Sequence, residues 1–192
     1  MKFTDFIKPQ NAVESFDRRK TIVFQENNRI YRGINHNKKA ILRLHIDNGF
    51  INANEKKCDF SMIIPPEPIT PPYFKLENKN LNKEIHNEIE NDEFELTTLQ
   101  KLYSEAICFL IETKGSDIST AAEQIIKTIS DMKTSLGIKK FVGRIVASKC
   151  KTQEMNTIQY NKLLRLLMGI KLKYSISYEP LILSSDRVEE NI

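Results

Sequence analysis

The spacing of apolar and polar residues changes several times along the chain, and each change predicts an element. Residues 11–20 follow Pro9 and carry Val13 and Phe16 at helical spacing, which predicts a short amphipathic helix. Three short runs, 21–24, 29–34 and 40–46, alternate in the manner of strands (Ile30, Arg32, Ile34; Ile41, Arg43) between Asn-rich turns and predict an antiparallel meander. Residues 58–64 form a further strand candidate. It runs into Pro65-Pro-Glu-Pro-Ile-Thr-Pro-Pro72, where five prolines disfavour both helix and central strand, so the chain must leave the sheet. Helical spacing returns over 81–103 with Leu81, Ile85 and Ile89, then Phe94, Leu96, Leu99, Leu102 and Tyr103, in two acidic pieces broken near Asn91. Residues 106–113, Ala-Ile-Cys-Phe-Leu-Ile-Glu-Thr, are apolar almost without alternation, the pattern of a central strand covered on both faces. A helix over 119–136 follows, capped by Ser119, with Ala122, Ile125, Ile126, Ile129, Met132 and Leu136 on one face and Gly137 ending it. Strand 140–147, a basic amphipathic helix over 157–168, a last strand over 173–178 and an acidic, frayed tail from Ser184 complete the reading.

These elements predict an α/β fold: a mixed central sheet with core strands 58–64, 106–113 and 140–147, flanked by helices, with helix 119–136 across one face. A length of 192 residues fits one domain spanning 1–192, with an insertion at about 65–105. Hydrophobic residues make up 40% and charged residues 28%, and no apolar run approaches the roughly 18 residues of a membrane span. The charged start lacks the apolar stretch of a secretory signal, so a cytoplasmic protein is expected. Cys58, Cys108 and Cys150 lie far apart with no Cys-x-x-Cys pair, which argues against a disulfide framework or a zinc site.

The net charge of +4 conceals an asymmetry. Residues 75–105 hold eight acids against four bases, whereas 127–173 hold eleven bases against two acids. A basic block of that size is either a set of solvated helix faces or a surface that contacts phosphates.

Successive strand residues point to opposite faces, so Glu112 and Lys114 emerge together at the carboxyl end of the apolar strand. Most such pairs are surface charges at a sheet edge. Asp59, at the start of a strand that could pair beside 106–113, adds a second carboxylate. Two carboxylates can bind a divalent cation while the lysine orients or helps activate an attacking water, an arrangement suited to phosphodiester hydrolysis. Gln124 lies at the border of the buried face of the next helix, where it could reach toward a metal site or bind a strand carbonyl.

The residues Asp59, Glu112 and Lys114, followed by Gln124 in Ala-Ala-Glu-Gln-Ile-Ile, resemble the PD-(D/E)xK nuclease superfamily, which includes many restriction enzymes, RecB-type nucleases and Holliday-junction resolvases. Glu14 stands where that superfamily carries an acid on its first helix, a solvated helical glutamate being the alternative. The resemblance covers roughly 28–147. It implies a restriction-endonuclease-like core and a Mg²⁺- or Mn²⁺-dependent deoxyribonuclease in a defence or restriction context. It further implies that Asp59 and Glu112 hold the metal, Lys114 serves the water and the transition-state charge, and Gln124 belongs to the catalytic set. Lys139, Lys140, Arg144, Lys149 and Lys151 are the expected DNA-phosphate contacts. The alternative is a catalytically inactive nuclease-like module that binds nucleic acid or a protein partner. The insertion, whose return is expected beside the same site, is read as an extra helix on its own domain, a homodimer or partner contact, or an acidic lid.

Overall fold

A computed structural model of the chain describes residues 13–49, 57–66, 103–150 and 155–192. Its centre is β6 (Ile107–Lys114), in which Cys108 to Thr113 are all buried. On one side β6 pairs antiparallel with β5 (Phe60–Ile64), and β5 pairs antiparallel with β4 (Ile41–His45). β4 is followed by a single turn, α1 (Ile46–Gly49), and pairs at its other edge with β1 (Val13–Asp17). On the far side β6 pairs parallel with β7 (Lys140–Ala147), and β7 with β8 (Leu181–Ser185). The result is a mixed six-stranded sheet in the order β1-β4-β5-β6-β7-β8.

The parallel steps need crossovers, and two helices supply them on the same face of the sheet. The first, α2 (Ile118–Leu136), starts where the Asp117 carboxylate accepts the Thr120 N–H at 2.9 Å and ends at Gly137, whose φ of 69° an L side chain rarely tolerates. Its buried Ala121, Ala122, Ile125, Ile129, Met132 and Leu136 repeat at helical spacing. Each fully buried Ile or Leu of this stripe stabilises the fold by roughly 1.5–3 kcal/mol. The second, α3 (Ile158–Tyr174), buries Leu163 and Leu167. Both helices share a core with Cys108, Leu110, Phe141 and Ile145.

The opposite face is covered by a second sheet. β2 (Thr21–Glu26) and β3 (Arg29–Ile34) form an antiparallel hairpin, and β3 pairs parallel with β9 (Arg187–Asn191). Ile22, Phe24 and Tyr31 from this small sheet meet Phe60, Met62, Phe109, Ile111, Val142 and Val146 from the large one. The architecture is therefore three layers: helices, six-stranded sheet, three-stranded sheet. Among the described residues no helix is long and apolar enough to cross a membrane.

Several expectations are corrected. Residues 11–20 were expected to be helical, yet 13–17 form an edge strand on β4, and the register slips between Val13 and Ser15. Such a bulge breaks strict alternation and imitates helical spacing. The expected meander is split: β2 and β3 stay together, while β4 enters the large sheet. Asn35, wholly buried, makes the separation, accepting the Lys39 N–H at 2.9 Å and donating to the Arg19 and Lys39 carbonyls at 3.2 and 2.8 Å. The helix cap is Asp117 rather than Ser119. The strand expected over 173–178 does not form, because α3 continues to Tyr174 and stops at Ser175 in a left-handed conformation. The tail expected to fray supplies β9 instead. Asp186 turns the chain sharply at φ 57° and donates its N–H to Ala147 O at 2.8 Å, and Val188 and Ile192 enter the core.

β9 is docked by a charge pair between a wholly buried arginine and a part-buried glutamate. Arg144, wholly buried on β7, donates from Nη2 to Glu190 Oε2 at 2.8 Å and from Nη1 to the Gly143 and Glu179 carbonyls at 2.7 and 2.9 Å. Its Nε is also bonded to Glu190, and the guanidinium lies 5.2 Å from the centre of the Phe109 ring. Tyr31 donates to Glu190 Oε1 at 2.9 Å, and burial, reinforced by the Glu190 charge, pushes its hydroxyl well above its ordinary pKa. Removing one partner of such a pair strands a charge in the core. Glu190→Ala is therefore expected to cost about 3–5 kcal/mol in urea unfolding, and Glu190→Ala combined with Arg144→Met to recover part of it. Equal losses in the single and double variants would contradict this account.

Candidate functional site

The apolar run of β6 ends in Glu112, Thr113 and Lys114, and the pleat distributes them. Glu112 and Lys114 lie on the helix-facing side and Thr113 on the side of the small sheet, following the alternation of Cys108 and Leu110 against Phe109 and Ile111. Asp59 precedes β5, whose Phe60 is opposite Ile111, so the antiparallel register carries Asp59 to Glu112. The Asp59 N–H donates to Glu112 Oε2 at 3.1 Å, and Asp59 Oδ2 accepts both the N–H and the hydroxyl of Thr113 at 2.7 Å. Lys114 Nζ stands 3.0 Å from Glu112 Oε1. At this end of the sheet Lys114 thus meets Glu112 side chain to side chain, and Asp59 meets Glu112 through its backbone N–H while its carboxylate is held by Thr113.

The backbone around Asp59 is clamped from both sides. Gln124 of α2 donates from Nε2 to Lys57 O at 2.6 Å, and the Cys58 N–H donates to Thr128 Oγ1 at 3.0 Å. From the start of α1, directly after β4, the Ile46 N–H donates to Asp59 O at 2.8 Å. Gln124 therefore binds a backbone carbonyl, the plainer of the two roles open to it. Its Oε1 is buried without a hydrogen-bond partner among the described residues.

Burial and charge crowding set the electrostatics. Glu112 is wholly buried; desolvation, then the Asp59 charge, pushes its carboxyl up to about 8 against the nearby Lys114. Burial also raises Asp59, opposed by the Thr113 bonds and assisted by Glu26. Partial burial disfavours the Lys114 ammonium, but Glu112, Asp59 and Glu26 outweigh it and hold its pKa above the ordinary lysine value.

Glu26 was not singled out from the sequence. It arrives from the small sheet, where the β2–β3 hairpin turns through Asn27 and Asn28, both at positive φ (47° and 64°) as a two-residue hairpin turn requires. Its Oε2 lies 2.6 Å from the Thr113 hydroxyl, which also reaches Asp59. The available signal was Glu26 at the end of an alternating run, directly before Asn-Asn. Glu14, by contrast, is ion-paired with Arg43 at 2.8 Å on the edge strand, three strands from β6.

The expected phosphate contacts separate. Arg144 is corrected: it is buried against Glu190 and presents no surface. Lys139 and Lys140 sit at the start of β7, opposite Ile107 and so at the other end of the sheet, and Lys140 is ion-paired with Glu105 at 3.0 Å. Lys149 is exposed at the site end, one residue beyond Ser148, whose N–H reaches the Lys114 and Gly115 carbonyls. Lys151 lies outside the described residues, as do Leu81, Ile85 and Ile89. The insertion's anchors are described: Ile64 is the register partner of Ile107, so the chain leaves and returns at the end of β6 away from Glu112 and Lys114. The expected return beside the site is thereby corrected.

Among the described residues no group of three or more His, Cys, Asp or Glu is gathered to hold a metal ion. No family model matches the chain, nor does any curated protein or solved structure.

The raised Glu112 value fixes a pH dependence. Between the ordinary carboxyl value of 4.5 and about 8, the folded chain retains a proton that the unfolded chain has lost, so this group's contribution to stability falls as pH rises through that window. Metal-free protein should lose stability across it by chemical denaturation. Glu112→Gln, a neutral mimic of the protonated acid, should flatten this loss; an unchanged profile in the variant would count against the assignment.

Proposed function

We propose that the chain is a metal-dependent nuclease that hydrolyses phosphodiester bonds in DNA. The observation that carries the proposal is the meeting of Asp59, Glu112 and Lys114 at the end of one buried strand. Three features support the restriction-endonuclease-like reading of the core: the antiparallel run β4-β5-β6, the parallel β7 beyond it, and the helix α2 joining them across one face.

The donor set suits a divalent cation. Two carboxylates, both raised by burial and crowding, would be relieved by a positive charge, and Mg²⁺ is commonly held by one or two carboxylates with water and substrate phosphate completing its shell. Asp59 and Glu112 would hold it, and when bound it supplies charge neutralisation at the phosphate and a more acidic water. The chain's own groups do the rest. Lys114, paired with Glu112 and part-exposed, keeps an ammonium beside the carboxylates, where it can orient a water and offset charge developing on phosphate oxygens. Gln124 and Thr128 hold the Lys57–Cys58 peptide unit, and the Thr113 N–H and hydroxyl hold the Asp59 carboxylate, so this part of the site is fixed in advance. A defence or restriction setting rests on the resemblance alone.

A second reading, a nuclease-like module that binds without cutting, is favoured by one observation. Glu112, with its carboxyl pushed up to about 8, carries a proton at neutral pH that a metal must displace. Calorimetry with Mg²⁺ or Mn²⁺ distinguishes the two readings. Binding that tightens from pH 6.5 to 8.5, with plasmid nicking that Glu112→Ala and Lys114→Ala reduce to background while the protein remains folded, is the expected result. A folded wild-type protein that binds neither metal and leaves DNA and RNA intact would favour the binding module.

A further inference from the structure

The geometry points to the outer face of the amino-terminal half of α3 as the surface that receives the nucleic-acid backbone, an inference that rests on the proposed function and gives it a docking track. α3 carries Lys162, Arg165, Lys171 and Lys173 and no acidic residue in 17 residues. Its inner face is occupied by Leu163 and Leu167. On the outer face Ile158, Asn161, Lys162 and Arg165, three or four residues apart, join Asn156 around an open cavity of about 580 Å³. Lys149, Lys162 and Arg165 are exposed, and none of them forms an ion pair among the described residues.

The cavity lies at the site end of the sheet. β7 and β8 are parallel, so the helix between them must run back against β7. A Cβ on Gly143 would come within 2.9 Å of Leu167 Cδ1, which places Leu167 over the middle of β7. Nine helical residues rise about 13–14 Å, the length of roughly four strand residues. Ile158 is thereby level with Ala147, the register partner of Lys114. Tyr160 and Cys150 pack against one core, consistent with that level.

The pairing of cations with side-chain amides in a concave surface fits phosphate oxygens, which accept from both. A lipid surface would instead call for a continuous apolar stripe. Here Ile158 is the apolar side chain lining the cavity, and the other exposed apolar side chains of α3, Leu166, Met168 and Leu172, lie beyond Arg165 in the helix's carboxyl half.

The test is fluorescence anisotropy of the full chain with a short labelled DNA duplex, without divalent metal, across about 50 to 200 mM salt. Lys162→Glu with Arg165→Glu should weaken binding at least tenfold and lower the salt slope by about 2, one for each lost phosphate contact. Lys139→Glu with Lys140→Glu, at the other end of the sheet, should leave both unchanged. The glutamine versions at 162 and 165 should give an intermediate loss, and an unchanged melting temperature checks that each variant folds. Undiminished binding in the 162/165 variants, equal loss in the 139/140 pair, or preferential binding to phosphatidylserine vesicles that DNA does not compete away would each overturn the assignment. The two proposals fail separately. A protein that binds DNA through Lys162 and Arg165 yet cuts nothing loses the catalytic reading alone, whereas cleavage unaffected by the 162/165 reversal loses the docking track alone.

Discussion

The pairing of the wholly buried Arg144 with Glu190 is the constraint on which the arrangement turns. A guanidinium placed on the inner face of β7 cannot remain without a counter-charge, and the counter-charge comes from a strand far along the chain. β9 must therefore lie against the large sheet, and through its pairing with β3 it holds the β2–β3 hairpin there too. The hairpin's end carries Glu26 to within 2.6 Å of the Thr113 hydroxyl. A core electrostatic requirement thus reaches the site through two strand pairings, and the site draws on all three layers: Glu26 from the small sheet, Asp59, Glu112 and Lys114 from the large one, Gln124 and Thr128 from the helices.

Thr113 sits at the junction of these layers. It is the residue between Glu112 and Lys114 and so points away from them, yet its amide and hydroxyl both meet Asp59. The strand uses its two faces for different tasks, charge toward the helices and an anchor toward the small sheet. The anchor carries a tension, because one hydroxyl proton cannot serve both Glu26 and Asp59.

What could be read from the sequence was local. The apolar run of β6, the stripe of α2 and the stop at Gly137 depend on neighbours within a few residues, and each is observed within a residue or two. Asp59, Glu112 and Lys114 could be placed together because strand alternation and a single pairing suffice. What could not be read was long-range. No pattern in residues 11–20 discloses that β4 needs an edge partner, and nothing near Ser184 discloses that Val188, Glu190 and Ile192 have a core to enter. Arg144 counted as a surface base because composition records charge and not depth. Glu26 went unnoticed because it belongs to a different sheet from the other acids.

The pairing of Ile64 with Ile107 has a consequence for where the connecting chain attaches. To the large sheet, β5 and β6 are hairpin partners, whatever length of chain joins them. Closing a loop between two such ends costs only about 0.6 kcal/mol more for each doubling of its length. The two anchors, Pro66 and Tyr103, therefore stand at the end of the sheet remote from Glu112 and Lys114, and the register of β5 on β6 is set by the strands themselves. The charged end of β6 and the attachment end are thus held apart by the length of one buried strand.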